Sequence, residues 1–120
     1  MDSRQDLGRE GERLAAQYLE GLGMTILERN WRFGHKEIDL IVREGNDLVV
    51  VEVKTRTAPV RELPEQAIPR EKRRSLVSAA NAYVRFNRIP LDVRFDTVNV
   101  VFNRESVELT HVRDAFFATL

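Results

Sequence analysis

Apolar and polar residues alternate along this chain with two different periods. In "GREGERLAAQYLEGLG" (8–23), Ala15, Tyr18, Leu19 and Leu22 recur at helical spacing, which predicts a first helix with Gly23 as its C-terminal cap. Met24 to Phe33 read as a strand. "EIDLIVREGNDLVVVEVKTR" (37–56) gives two more strands around a turn. "TAPVRELPEQAIP" (57–69) holds three of the four prolines and reads as a loop. Pro69 suits the first turn of a second helix, where its missing N–H costs nothing. That helix runs to about Phe86, with Leu76, Ala79, Ala80 and Tyr83 on one face. "DVRFDTVNVVF" is a fourth strand and "SVELTHV" a fifth, while the tail "RDAFFATL" reads as a helical turn. The order α-β-β-β-α-β-β predicts an α/β fold, a mixed sheet flanked by helices.

The strand-like stretch 37–56 raises a question. Glu37, Asp39, Glu52 and Lys54 lie where an ordinary hairpin would place Val or Thr. A two-residue loop at Gly45-Asn46 pairs Glu44 with Asp47. It then sets Ile41 opposite Val50, Asp39 opposite Glu52 and Glu37 opposite Lys54. A four-residue loop keeps that register; a three-residue loop shifts it by one and separates the charges. Opposed side chains share a face with Cβ atoms about 4.5–5.5 Å apart. Val49, Val51 and Val53 point to the other face, toward core. Two carboxylates so close repel unless a cation lies between them. Mg²⁺ or Mn²⁺ suits oxygen ligands, and the Val53 carbonyl offers a third. Lys54 beside the ion could orient or deprotonate a water, or stabilise charge developing on a phosphate. Glu12 borders the buried stripe of the first helix, so it needs a partner, and the same site is one candidate. Gly8 and Gly11 leave room there for close backbone approach. The plain alternative is a cross-strand ion pair on a solvated face.

Composition narrows the class. The 120 residues suit one domain, 1–120, with 42% hydrophobic and 32% charged residues, a globular balance. Cysteine is absent, so disulfides and thiolate metal sites are excluded. No apolar run is long enough to span a membrane and the N-terminus lacks an apolar signal core, so a soluble cytoplasmic protein is expected. The 19 basic and 19 acidic residues cancel, which argues against a general nucleic-acid coat but not against a local basic face. Arg70, Lys72, Arg73 and Arg74 cluster at the start of the second helix, against its dipole, and with Arg56 are candidate phosphate contacts. Glu37 is expected to pair with Lys54 or a basic neighbour, and Asp96 with Arg94 or Arg32. Trp31 and Phe33 are expected in the core rather than as base-stacking platforms. His35 is a contact candidate and His111 is read as structural.

Asp39 followed by Glu52-Val53-Lys54 resembles the D…E-x-K signature of the restriction-endonuclease-like PD-(D/E)xK nucleases. Together with G-x-x-G-E, R-N-W-R, E-I-D-L-I, V-E-V-K-x-R and R-F-D, nearly the whole chain resembles the YraN family of small bacterial proteins. The resemblance implies a restriction-endonuclease-like fold close to Holliday-junction resolvases. It implies a metal-dependent DNA endonuclease acting on branched or damaged DNA in repair or recombination. Carried across, Glu12 becomes the helix carboxylate, Asp39 and Glu52 the metal pair, and Lys54 the catalytic lysine. Gln66 falls where some superfamily nucleases carry a helix glutamine. Related nucleases are often dimers. Two departures stand out: Ile38 replaces the proline before the aspartate, and His35-Lys36 lengthens the turn before Glu37. Neither removes an expected ligand. A non-catalytic nucleic-acid-binding module, or an interaction subunit of a DNA-processing complex, is the competing expectation.

Overall fold

The computed structural model describes residues 3–60 and 68–118. Its elements run α1 (Ser3–Gly21), β1 (Thr25–Phe33), β2 (Lys36–Glu44), β3 (Asp47–Thr57), α2 (Arg70–Asn87), β4 (Asp92–Phe102) and β5 (Val107–Phe116). The element order is the one the sequence pattern predicts. The strands form one sheet in the order β1-β2-β3-β4-β5. Only β3 and β4 are parallel, and the α2 crossover joins them.

β3 sits at the centre of the sheet and explains the layering. Its run Leu48, Val49, Val50, Val51 is buried on both sides. A strand covered on both faces reads as a continuous apolar run, not an alternating one. Val49 and Val51 pack with Leu40, Val42, Val98 and Val100 against Ala15, Ala16 and Leu19 of α1. Leu48 and Val50 pack with Ile38, Ile41 and Phe95 against Leu76, Ala79, Ala80 and Tyr83 of α2. Each fully buried Val or Leu contributes roughly 1.5–3 kcal/mol. The expectation that the odd-numbered valines alone face core is thus half the picture, and Val53 is only partly buried.

The ends of the elements follow local chemistry. Gly23, at φ 92, closes α1 with Gly23 N donating to Glu20 O and Met24 N to Leu19 O. Leu19 and Met24 then meet in one cluster. Four predictions need correction. α1 starts at Ser3, five residues before Gly8, because Arg4 to Leu7 continue the helix. Leu22 falls beyond α1 and is exposed. Pro69 is the N-cap of α2, one position before its first turn. Arg113–Phe116 extend β5 and are no helical turn, since Phe116 pairs with Phe95 and stacks on it at 4.8 Å. Asp114, at φ 50, sits in the irregular stretch that hid this strand from a period-two pattern.

Candidate active site where the central strands part

The β2–β3 ladder runs from Glu44↔Asp47 to Leu40↔Val51, each pair in the register the Gly45-Asn46 turn predicts. It stops one pair short of Asp39 and Glu52. There Val53 N donates not to a backbone carbonyl but to Asp39 Oδ2, at 2.8 Å. On the other side, the β1–β2 ladder passes from Arg29↔Leu40 to Trp31↔Ile38 and skips Asn30 and Asp39. Asn30 has φ 52, the left-handed region that asparagine tolerates better than most residues. Ile38 packs on the α2 side and Leu40 on the α1 side, although residues two apart in a regular strand share a face. The chain therefore turns over at Asp39, and both layers can reach its carboxylate.

Both layers do. Glu12 from α1 and Glu52 from β3 each come within hydrogen-bonding reach of Asp39. Burial, the Asp39 charge and that hydrogen bond, with Glu37 adding a little, raise the Glu12 carboxyl to about 7. Burial and Asp39 raise Glu52 to about 8, against the opposing pull of Lys72 and Lys54. Glu52 is 4% exposed, with Lys72 Nζ at 3.7 Å and Lys54 Nζ at 3.8 Å from Oε2. Gly11 lets α1 lie against β3, since a Cβ there would run into Thr55 Oγ1. Gly8 meets nothing within 4 Å, so close approach needs only Gly11. A cleft of about 420 Å³ opens beside Glu12 and Lys54, rimmed by Arg4, Arg9 and Arg56.

Among the described residues, no three His, Cys, Asp or Glu side chains form a ready-made ligand cage. Mg²⁺ does not need one, because it keeps several waters and takes one or two carboxylates. Asp39 and Glu52 meet that requirement, with Glu12 beside them. The raised carboxyls add a second reason. A divalent cation beside them would offset the like charge that helps to raise Glu12 and Glu52. These carboxylate oxygens are donors of the type Mg²⁺ or Mn²⁺ takes.

The structure divides the remaining sequence candidates. Lys72 enters the acidic site, which the basic cluster's position on α2 did not foretell. Arg73 turns inward, its Nε donating to Ile68 O at 3.0 Å and its guanidinium 6.0 Å over the Phe116 ring. Arg70 and Arg74 are exposed. Gln66 lies outside the described residues. Glu37 does not oppose Lys54; it pairs with Arg32 at 3.5 Å, because the ladder ends before that register applies. Phe33 is exposed, a correction to its expected core position. Asp96 pairs with Arg94 and with His111 Nε2 at 2.8 Å, and it accepts from Asp114 N. Its burial alone would raise the carboxyl, but those hydrogen bonds outweigh it and hold the pKa below the ordinary value.

Sequence reasoning missed Asn30, Thr97 and Asn99. With its amide turned to satisfy both neighbours, Asn30 donates to Glu12 Oε2 at 3.1 Å and Glu37 Oε1 at 3.0 Å. The signal was an asparagine in the middle of a strand, where it is disfavoured. Thr97 pairs with Glu52 and Asn99 with Lys54 across the β3–β4 ladder, so they share the face of those two residues. Both are buried, yet Thr97 Oγ1 and Asn99 Nδ2 have no hydrogen-bond partner among the described residues. Only the parallel crossover brings them there, and no local pattern announces it.

The family model for the uncharacterised protein family UPF0102 matches residues 11–100, from Gly11 through most of β4. The chain belongs to that family. UPF0102 proteins of Parabacteroides distasonis and Bacteroides thetaiotaomicron are similar to it, at 42% and 39% identity. The first match covers 98% of both chains; the second covers 100% of this chain and 99% of the relative. A UPF0102 protein of Chlorobium chlorochromatii is 42% identical over 97% of this chain and 95% of its own. The UPF0102 match thus takes in α1 from Gly11 onward, the parting strands and the crossover, and leaves Arg4 and Arg9 of the cleft rim outside it.

Proposed function

We propose that this UPF0102 protein is a Mg²⁺- or Mn²⁺-dependent DNA endonuclease that hydrolyses phosphodiester bonds in branched or damaged DNA. The observation that carries the reading is the meeting of Asp39 with Glu12 and Glu52 at the strand fork, with Lys54 and Lys72 beside Glu52. Asp39 and Glu52 would hold the ion, with Glu12 next to them. A bound divalent cation supplies an activated water at neutral pH and offsets charge on the phosphate. The chain's own residues do the rest. Lys54 Nζ stabilises the negative charge that grows on the phosphoryl oxygens as water attacks phosphorus and the P–O bond to the leaving strand breaks. Asn30 fixes the Glu12 carboxyl, and the Val53 amide fixes Asp39, so neither need reorganise during the reaction. Arg4, Arg9 and Arg56 around the cleft suit a phosphate backbone.

The test is incubation of the pure protein with linear, flapped and four-way-junction DNA, with and without Mg²⁺ or Mn²⁺. Metal-dependent cleavage is expected, abolished in Lys54→Ala and in Asp39→Asn. Absence of metal-dependent cleavage across the panel, or undiminished cleavage by Lys54→Ala, would overturn the reading.

A further inference from the structure

A second feature lies on the far side of α2. Arg74, Ser78, Asn81 and Arg85 follow one another at spacings of four, three and four, so they form one stripe along the helix. With Phe33 they line a groove of about 440 Å³. Lys36 Nζ donates to Ser78 Oγ at 2.8 Å, which ties the β1–β2 turn to this stripe. Three aromatic rings continue one another at its edge. Trp31 and Phe33 are stacked at 6.3 Å with an interplanar angle of 4°, and Phe86 follows 6.2 Å from Phe33. Phe33 is 38% exposed and Phe86 is 72% exposed.

Large apolar rings left in water beside paired guanidinium groups need an explanation. Among the described residues lining the groove, two are arginines and none is acidic, so its occupant is anionic. A second copy of this chain docked by two-fold symmetry would bring the same arginines together without a carboxylate between them, which is unfavourable. A duplex offers no free base faces to the rings. Unpaired nucleotides offer both bases to stack on aromatic rings and phosphates to meet arginines. Arg74 also lies two residues from Lys72, which reaches Glu52, so the groove and the carboxylate site share the start of one helix.

We propose that the Phe33–Phe86 edge and the Arg74–Arg85 stripe form a binding site for single-stranded nucleic acid, which selects DNA with unpaired bases next to the carboxylate site. The selection rests on the nuclease reading; the binding itself does not. It is tested in EDTA, where no metal-dependent step intervenes, by fluorescence anisotropy of a labelled twelve-residue oligothymidylate. Phe86→Ala, whose ring is mostly exposed, is expected to weaken binding about five- to a hundred-fold, the usual effect of losing one base–aromatic stack. Arg74→Ala with Arg85→Ala is expected to weaken it and to flatten its salt dependence. A blunt twelve-base-pair duplex is expected to bind wild type and Phe86→Ala alike. The emission of Trp31, the single tryptophan, reports occupancy in the unaltered protein and is expected to change with oligothymidylate but not with an abasic strand of equal length. Equal oligothymidylate binding by Phe86→Ala and wild type overturns the inference. So does an unchanged Trp31 emission at saturation, or sedimentation showing that Phe86→Ala converts a dimer to a monomer. Oligothymidylate binding that depends on Phe86 without metal-dependent cleavage of any DNA overturns the nuclease reading alone, and metal-dependent cleavage with binding indifferent to Phe86→Ala overturns this inference alone.

Discussion

Thr97 and Asn99 each keep a polar atom inside the protein with no partner among the described residues, next to Glu52 and Lys54. A buried hydroxyl without a hydrogen bond costs about 1–3 kcal/mol in proteins. Thr97→Val keeps the shape and removes that cost. It is expected to raise the melting temperature by about 4 °C, given roughly 1 kcal/mol recovered in a domain of this size. Differential scanning calorimetry of the metal-free protein checks it. A fall in melting temperature would show that the hydroxyl is satisfied in solution. The Asp96 cluster is the opposite case. All its hydrogen-bonding groups are engaged by Arg94, His111 and Asp114 N, which makes it architecture.

At the scale of elements, the β2–β3 register was legible because a two-residue turn fixes it and one face of each strand had to be buried. Glu12 was legible because an acid beside a buried helical stripe needs a partner. The end of the ladder was not legible. It depends on Asn30 adopting a left-handed conformation opposite Asp39, and no side-chain period encodes that. Nor could Lys72 be separated from Arg70, Arg73 and Arg74 in sequence, since only the tertiary fold aims one of the four at Glu52. The contact between α1 and β3 gives its own prediction. Gly11→Ala would drive a methyl into the Thr55 side chain, with Thr55 Cβ and Cγ2 also within 3.3 Å of it. Either the Thr55 side chain or the helix must give way, and a shifted helix carries Glu12 with it. Overpacking of this kind costs about 1–3 kcal/mol. Chemical denaturation should show that loss, and cleavage by the fraction still folded should fall as well. Gly8→Ala, where the added methyl meets nothing within 4 Å, is the control expected to leave cleavage unchanged and, by removing a glycine from the helix interior, to raise stability by about 0.5–1 kcal/mol.

For the whole molecule, equal numbers of acids and bases conceal an uneven distribution. Four acids, Glu12, Glu37, Asp39 and Glu52, meet at the strand fork, while arginines rim the cleft and the groove along α2. That concentration ties stability to pH. Glu12 and Glu52 have folded-state pKa values raised to about 7 and about 8, above their ordinary value. Between the ordinary value and the raised ones, the folded state binds more protons than the unfolded chain, so stability falls as pH rises. The melting temperature of the metal-free protein is expected to drop from about pH 5 to about pH 8 and then to level off. Glu52→Gln should reduce the drop. Mg²⁺ should raise the melting temperature more at pH 8 than at pH 5, because the cation favours carboxyls that have lost their protons. Equal Mg²⁺ effects at both pH values would count against a carboxylate metal site.

The hydrogen bond from Val53 N to Asp39 has a consequence for descent within the family. It lets one aspartate cap the parted edge of β3 whatever else the site does. On the nuclease reading, a lineage that lost catalysis would still gain from an acceptor at position 39, while Lys54 would be kept only for its ion pair with Glu52. On that reading, retention of the aspartate marks the fold, and retention of the lysine is the better marker of cleavage.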